Sequence, residues 1–337
     1  MTQNRKHGRE HLGRHYTVDP SLPKLFCKEL TPKEGYNAPN YLGPKDWVDR
    51  CAKLQDTAIM VREPAVQVME CIKASDLTKP TNRYVLYGRP GVGKSITLTH
   101  LTHFGHADGW IVLPLLNLKQ WLVRYYEVAP STYTAGAIDH ITNANVFLKN
   151  FKCANPGRLE GCVTHREYVW SNREKTPAGA PLAEVISSFF SFSKTKSQVV
   201  EFGIERLNFA ADALNVVLRE LRLNASNGNC KLMVIIDGVN VLFSPYTLLN
   251  KDHTTAFKGV KGGKDARGLA FGVRRVGQRP RRITEEAKEW MSNLAMVDEC
   301  SVLKNMKKML KNDYSGAAVV ASVDVRSMLR KQDNWNR

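Results

Sequence analysis

The sequence contains no CxxC pair, no apolar run near the roughly 20 residues that span a bilayer, and few acids for its size. Its seven cysteines stand apart at 27, 51, 71, 153, 162, 230 and 300. Neither a zinc ribbon nor a thioredoxin-type site is therefore spelled out. An odd number of cysteines scattered over a long chain fits a reduced compartment better than a disulfide-stapled secreted fold. Cys153 and Cys162 are close enough in sequence to meet, although two ordinary buried thiols is the simpler expectation. The N-terminus lacks the apolar stretch of a secretory signal. Residues 1–15 are basic and histidine-rich, contain Glu10, and make a poor amphipathic transit helix. No membrane partner is expected.

The shortage of acids has the largest consequence. Asp and Glu number 32 against 49 Lys and Arg, a net charge of +17. Such an excess opposes compaction through like-charge repulsion and is most easily understood beside a polyanion. Nucleic acid is the leading candidate and an anionic membrane surface the second; a merely basic soluble enzyme is the bland alternative. The chain has 337 residues, of which 43% are hydrophobic, enough for one large domain or two modest ones.

Along the chain, residues 1–45 read as an extended basic arm, broken by Pro20, Pro23, Pro32, Pro39 and Pro44. A domain is expected over 46–325, and a polar tail over 326–337. Residues 47–72 read as helical, with Pro64 opening a second helix that carries Val66, Met69 and Ile72. Tyr84–Tyr87, Trp110–Leu115, Leu232–Ile236 and Ala317–Ser322 are apolar runs of the kind found in buried parallel strands. Residues 95–103 and 118–126 are helix-compatible. The clearest helix spans 204–223, where Ile204, Leu207, Ala211, Leu214, Leu218 and Leu221 recur every three or four residues. Another is expected to run to about 311 through Leu303, Met306 and Leu310. Residues 127–200 are less regular, and 186–199 and 258–295 read as irregular insertions. This alternation predicts an α/β fold: a P-loop NTPase, AAA-like, with a parallel sheet flanked by helices.

The chemistry centres on Gly88-Arg89-Pro90-Gly91-Val92-Gly93-Lys94-Ser95, a GxxxxGK[ST] P-loop pattern with an apolar strand before it and a helical segment after it. The glycines let the backbone curl so that successive N–H groups point at phosphate oxygens, and the helix start adds positive potential. Gly88, Pro90, Gly91, Val92, Gly93, Lys94, Ser95 and Ile96 are the candidate nucleotide-binding residues. Lys94 is expected at the β- and γ-phosphates, and Ser95 on Mg²⁺. Asp237, ending an apolar strand, is the second candidate Mg²⁺ ligand. Many hydrolytic machines of this class place a glutamate next; here the residue is Gly238, and the nearby Asn240 is a poor general base. The site therefore reads as built to hold a purine nucleoside triphosphate more than to turn it over, with hydrolysis weak or absent. Asn250-Lys251-Asp252-His253 is the nearest match to a guanine-reading Asn-Lys-x-Asp and fails at its fourth position. Ser322, ending the last strand, lies where a polar γ-phosphate sensor could sit, or is simply a capping serine.

Two basic features remain. Residues 258–282 hold nine Lys or Arg, one acid and six glycines, and read as a cationic loop contacting the backbone of folded RNA; a solvated loop is the competing reading. His7, His11 and His15 would share one face of a helix. Gly8 and Gly13 weaken that helix, so a flexible basic arm is the simpler account.

In order along the chain, Gly13-Arg14-His15-Tyr16, Val61-Arg62-Glu63-Pro64-Ala65, Arg83–Gly88, Trp110-Ile111, Leu148–Lys152, Tyr168-Val169-Trp170 with Arg173-Glu174, Val217–Leu221, Asp237–Asn240 and Met309–Asp313 carry a resemblance. With these segments the chain resembles the death-associated protein 3 family of the mitochondrial ribosomal small subunit. The resemblance covers most of 13–255 and about 300–322. It implies a GTP-binding structural protein in the small-subunit head, near the contacts with the large subunit, in the mitochondrial matrix. It implies ribosomal RNA and other mitochondrial ribosomal proteins as partners, GTP (or another purine nucleotide) and Mg²⁺ as ligands, and the loop Gly88–Ser95 with Asp237 as the nucleotide residues. It further implies a C-terminal helical region beyond the last strand, expected to be missing from this chain.

The competing function is a catalytic AAA-like NTPase acting on nucleic acid; a small-molecule kinase would need a lid and an acceptor pocket, and no segment reads as either. If the +17 charge serves RNA association, affinity should fall steeply as salt rises in a titration with folded RNA, whereas a flat dependence contradicts the electrostatic account.

Overall fold

The computed structural model describes residues 8–17, 58–89, 91–115, 118, 121, 128–132, 134–171, 175–182, 207–243, 246–250 and 294–323. In chain order the elements are β1 (His15–Thr17), β2 (Ala58–Met60), α1 (Glu63–Ala74), β3 (Asn82–Leu86), α2 (Lys94–Ala107), β4 (Ile111–Leu115), β5 (Val128–Pro130), β6 (Ile138–His140), α3 (Ile141–Ala154), β7 (Tyr168–Val169), β8 (Lys175–Thr176), α4 (Ala210–Ser226), β9 (Leu232–Ile236), β10 (Tyr246–Asn250), β11 (Leu294–Met296), α5 (Ser301–Lys308) and β12 (Ala317–Ser322).

β3, β12, β9 and β4 form, in that order, one parallel sheet. Because side chains alternate along a strand, each strand feeds two apolar layers. Leu232, Val234 and Ile236 of β9 join Ile111, Leu113 and Leu115 of β4 and the faces of α3, α4 and α5. Met233 and Ile235 join Val112, Val320 and the faces of α1 and α2. The result is a mixed α/β fold with helices on both faces of a parallel sheet, the arrangement that buried parallel strands require.

Several expectations are met, with shifted ends. Pro64 lies in the first turn of α1. The clearest predicted helix is α4, which runs Ala210–Ser226 behind a short 3-10 turn at Leu207–Phe209. The helix expected to reach about 311 is α5, ending at Lys308. Leu118 and Trp121 are buried, as core aromatics and aliphatics would be.

Other expectations are corrected. The strand before the loop is not buried: β3 pairs only with β12 among the described residues, and Val85 is 60% exposed. Residues 58–60 form a strand where a helix was expected. The irregular 127–200 region contains a 14-residue helix, α3, whose buried Ile141, Ala144, Leu148 and Phe151 are spaced as a helix demands. Cys162 hydrogen-bonds the Cys230 thiol, and the Cys153 side chain lies outside the described residues. His15 sits in a strand, so the shared helical face of the histidines fails. Residues 8–17 are docked, with β1 paired to β2, Tyr16 stacked on His103 at 5.6 Å, and Arg9 bound to Glu63 and Glu70. His7, most of the arm, the insertions at 186–199 and 258–293, and the tail lie outside the described residues. Among the described residues no helix is long and apolar enough to cross a membrane.

The core holds one costly feature. Asp139 and Asp212 are both buried; Ser301 donates to Asp139, Thr132 donates to Asp212 at 3.1 Å, and Asp212 Oδ1 has no partner among the described residues. Burial, then the neighbouring Asp139 charge, pushes the Asp212 carboxyl up to about 6. The folded chain thus keeps a proton that the unfolded chain releases nearer pH 4, so this group's contribution to stability falls as pH rises through that window. Asp212→Asn should therefore be more stable than the parent by about 1–3 kcal/mol at pH 7.5, and the gap should shrink at pH 4.5 in denaturant titrations. A gap independent of pH would contradict this account.

Candidate nucleotide site

The parallel sheet delivers the C-terminal ends of its strands to one edge, where ligands of open α/β sheets bind. β3 leads into the glycine-rich loop, β9 ends at Asp237, and β12 between them ends at Ser322. The loop turns through Gly91 and Gly93, both at φ +85°, in the left-handed region that favours glycine. α2 then starts at Lys94.

The side chains converge. Ser95 Oγ donates to Asp237 Oδ2 at 2.8 Å, and Ser322 Oγ donates to Asp237 Oδ1. The Gly238 N–H donates to Ser322 Oγ at 3.0 Å. Both carboxylate oxygens are thus held by hydroxyls from two other segments. Lys94 Nζ turns into the loop and donates to the carbonyls of Gly88 and Arg89 at 2.8 and 2.9 Å. Ile96 is half-buried in the first turn of α2, and Val92 is exposed at the loop's tip. Pro90 lies outside the described residues.

Of the predicted residues, Ser95 and Asp237 are brought together with Ser322, whereas Lys94 turns into the loop. Asn250 ends β10, a strand paired with β11 and outside the four-stranded sheet. Arg62 was not singled out for the site. It precedes α1, and its Nη1 donates to the Val92 carbonyl at 2.8 Å. A Cβ built on Gly93 would lie 2.1 Å from the same Nη1. Its only signal in the sequence was membership of the Val61–Ala65 segment. Arg62 is placed by its neighbours: Val61 exchanges backbone hydrogen bonds with Gly13 and Arg14, at 3.0 and 2.9 Å, and α1 packs on α2 through Ala65, Met69 and Ile72.

The donor set suits a magnesium nucleotide. Mg²⁺ takes hard oxygens, usually one or two protein groups completed by phosphates and water, and the Ser95 hydroxyl and Asp237 carboxylate are adjacent oxygens of that kind. Among the described residues no group of three or more His, Cys, Asp or Glu could hold a metal ion.

A family model described as mitochondrial ribosomal death-associated protein 3 matches residues 59–256, more than half of the chain. The chain is 31% identical over 327 residues to the small ribosomal subunit protein mS29 of Bos taurus, covering 97% of this chain and 66% of the bovine protein. To the mS29 of Mus musculus it is 29% identical over 327 residues, covering 97% of this chain and 67% of the mouse protein. The chain thus spans about two thirds of the length of these relatives.

The contact between Gly93 and Arg62 has a direct test. Gly93→Ala should destabilise the chain by roughly 1–3 kcal/mol, from φ strain plus loss of the Arg62–Val92 hydrogen bond as the Arg62 guanidinium moves aside. Arg62→Ala already removes that bond, so the two changes together should be less than additive, with a coupling of at least about 0.5 kcal/mol in a thermal-unfolding cycle. Strict additivity would contradict the contact.

Proposed function

The chain belongs to the mitochondrial ribosomal death-associated protein 3 family, and from that premise we propose that it is a structural component of the mitochondrial small ribosomal subunit that holds GTP without using it as fuel. Its compartment is the mitochondrion. Its partners in this reading are ribosomal RNA and neighbouring ribosomal proteins. The net charge of +17 supports the RNA partner.

In the same reading the sheet and its helices are a P-loop NTPase core of AAA-like type. Support comes from the placement of β12 between the strand that enters the loop and the strand that carries Asp237. The loop N–H groups and the start of α2 would hold the phosphates. Lys94 would exchange the Gly88 and Arg89 carbonyls for phosphate oxygens, and Ser95 and Asp237 would hold Mg²⁺, which when bound neutralises phosphate charge.

One observation carries the retention of GTP over its turnover. Gly238 follows Asp237 at φ +77°, and its N–H is spent on Ser322. A water-activating glutamate at this position would have to adopt a left-handed backbone, at a cost of order 1–3 kcal/mol. A nucleotide that binds only the folded chain stabilises it by mass action, which suits a ligand kept for assembly.

The native complex should therefore co-purify with small-subunit RNA, retain GTP and show no steady-state phosphate release, and Lys94→Ala should lose the retained nucleotide. Sustained turnover that Lys94→Ala abolishes would overturn the structural role in favour of the catalytic NTPase.

A further inference from the structure

On the face of the fold away from the nucleotide loop, basic side chains from two helices gather. α5 buries Val302, Leu303 and Met306, which leaves Lys304 and Lys308, one above the other at i and i+4, on its outer side. Lys311 follows in the next turn, its N–H on the Lys308 carbonyl at 3.1 Å, and is exposed. α4, packed against α5, is buried at every position from Ala210 to Leu218; its first exposed residue is Arg219, and the half-buried Arg222 follows one turn on. Two buried helices thus open a common window to solvent, and the side chains at that window are cationic.

The charges are poorly compensated. Asp313 pairs with Arg222, whose guanidinium also lies 4.9 Å from the Tyr314 ring centroid. Among the described residues no carboxylate pairs with Arg219, Lys304, Lys308 or Lys311. Burial, and then the charges of Lys304, Arg222, Lys311 and Arg219, hold the Lys308 ammonium below the usual lysine range. Repulsion of that kind is a standing cost that a polyanion would relieve. Lys307 is not part of the group; it turns to Asp298 at 2.7 Å and lies over the Phe243 ring at 5.6 Å. That exposed ring is thereby covered by a cation, so stacking of bases on it is not the mode this surface favours.

We propose that Arg219, Arg222, Lys304, Lys308 and Lys311 form a docking surface for the phosphodiester backbone of folded RNA. This rests on the ribosomal reading above and adds to it an RNA contact made by residues other than the basic segment 258–282. The surface lies on the sheet face covered by α3, α4 and α5, opposite α1 and α2, and its Arg222 end lies where the strands begin, since Arg222 covers Tyr314 and Tyr314 accepts the Thr81 N–H at 2.9 Å just before β3. It contacts backbone and not base edges, so it positions RNA without reading sequence.

The test uses the full chain and an in vitro transcript of small-subunit ribosomal RNA, with affinity followed across a salt series. Each phosphate contact contributes about 0.7–0.9 to the slope of log affinity against log salt. The triple change Lys304→Ala, Lys308→Ala, Lys311→Ala should lower that slope by about two, leave the thermal midpoint no lower than the parent's and GTP affinity unchanged, and have its slope rescued by the triple Lys→Arg variant. Parent-like slope in the alanine variant would overturn the surface while leaving the ribosomal reading intact, with RNA contact then placed elsewhere on the chain. Failure of the unaltered chain to bind the transcript, or its preference for anionic vesicles, would overturn both.

Discussion

Both faces of β9 are sealed by apolar side chains, and all five of its residues are buried. Nothing polar is tolerated along such a strand, so its first carboxylate, Asp237, can appear only where the strand leaves the core. The parallel arrangement brings β3 and β12 out at the same edge. The glycine loop, Ser322 and Asp237 are neighbours for that reason and not because of any local sequence signal. Ser95 then reaches Asp237 across 142 positions of sequence. The candidate site is a product of sheet burial.

That dependence explains what was legible in advance. β4, β9, β12 and α4 announce themselves because burial on both faces leaves apolar runs, and burial on one stripe leaves a three-to-four residue repeat. The loop was legible because its turn needs glycines at 91 and 93. α3 was missed because Thr142, Asn143, Asn145 and Asn150 dilute its apolar face, although Ile141, Ala144, Leu148 and Phe151 carry the helical spacing. The exposure of β3 is not legible because Tyr84-Val85-Leu86-Tyr87 has the composition of a buried strand; among the described residues β4 is also an edge strand yet fully buried, so what covers a strand, which is not local, decides exposure. Arg62 was missed for a related reason. Its role comes from β1 and β2 holding Val61 and from α1 resting on α2, both long-range facts. Cys162 and Cys230 likewise meet only through the fold.

The same architecture separates two tasks. Strand ends carry the loop, the carboxylate and the two serine hydroxyls; the cationic window belongs to α4 and α5, on the sheet face opposite α1 and α2. A nucleotide bound at the strand ends can stabilise the core without occupying that window. The docked residues 8–17 join the first of these edges: Arg62 links the loop to Val61, and Val61 is tied to Gly13 and Arg14. The N-terminal segment is in that sense a strap across α1 and α2, secured by Tyr16 against His103 and by Arg9 on Glu63 and Glu70.

The central claim is that this edge holds a nucleoside triphosphate intact. It is tested most directly by loading the purified chain with γ-labelled GTP and Mg²⁺, removing the excess, and following the GTP-to-GDP ratio on the protein over hours. The account predicts that label stays bound as GTP, lost only as fast as the nucleotide dissociates. Conversion to bound GDP faster than dissociation would contradict it.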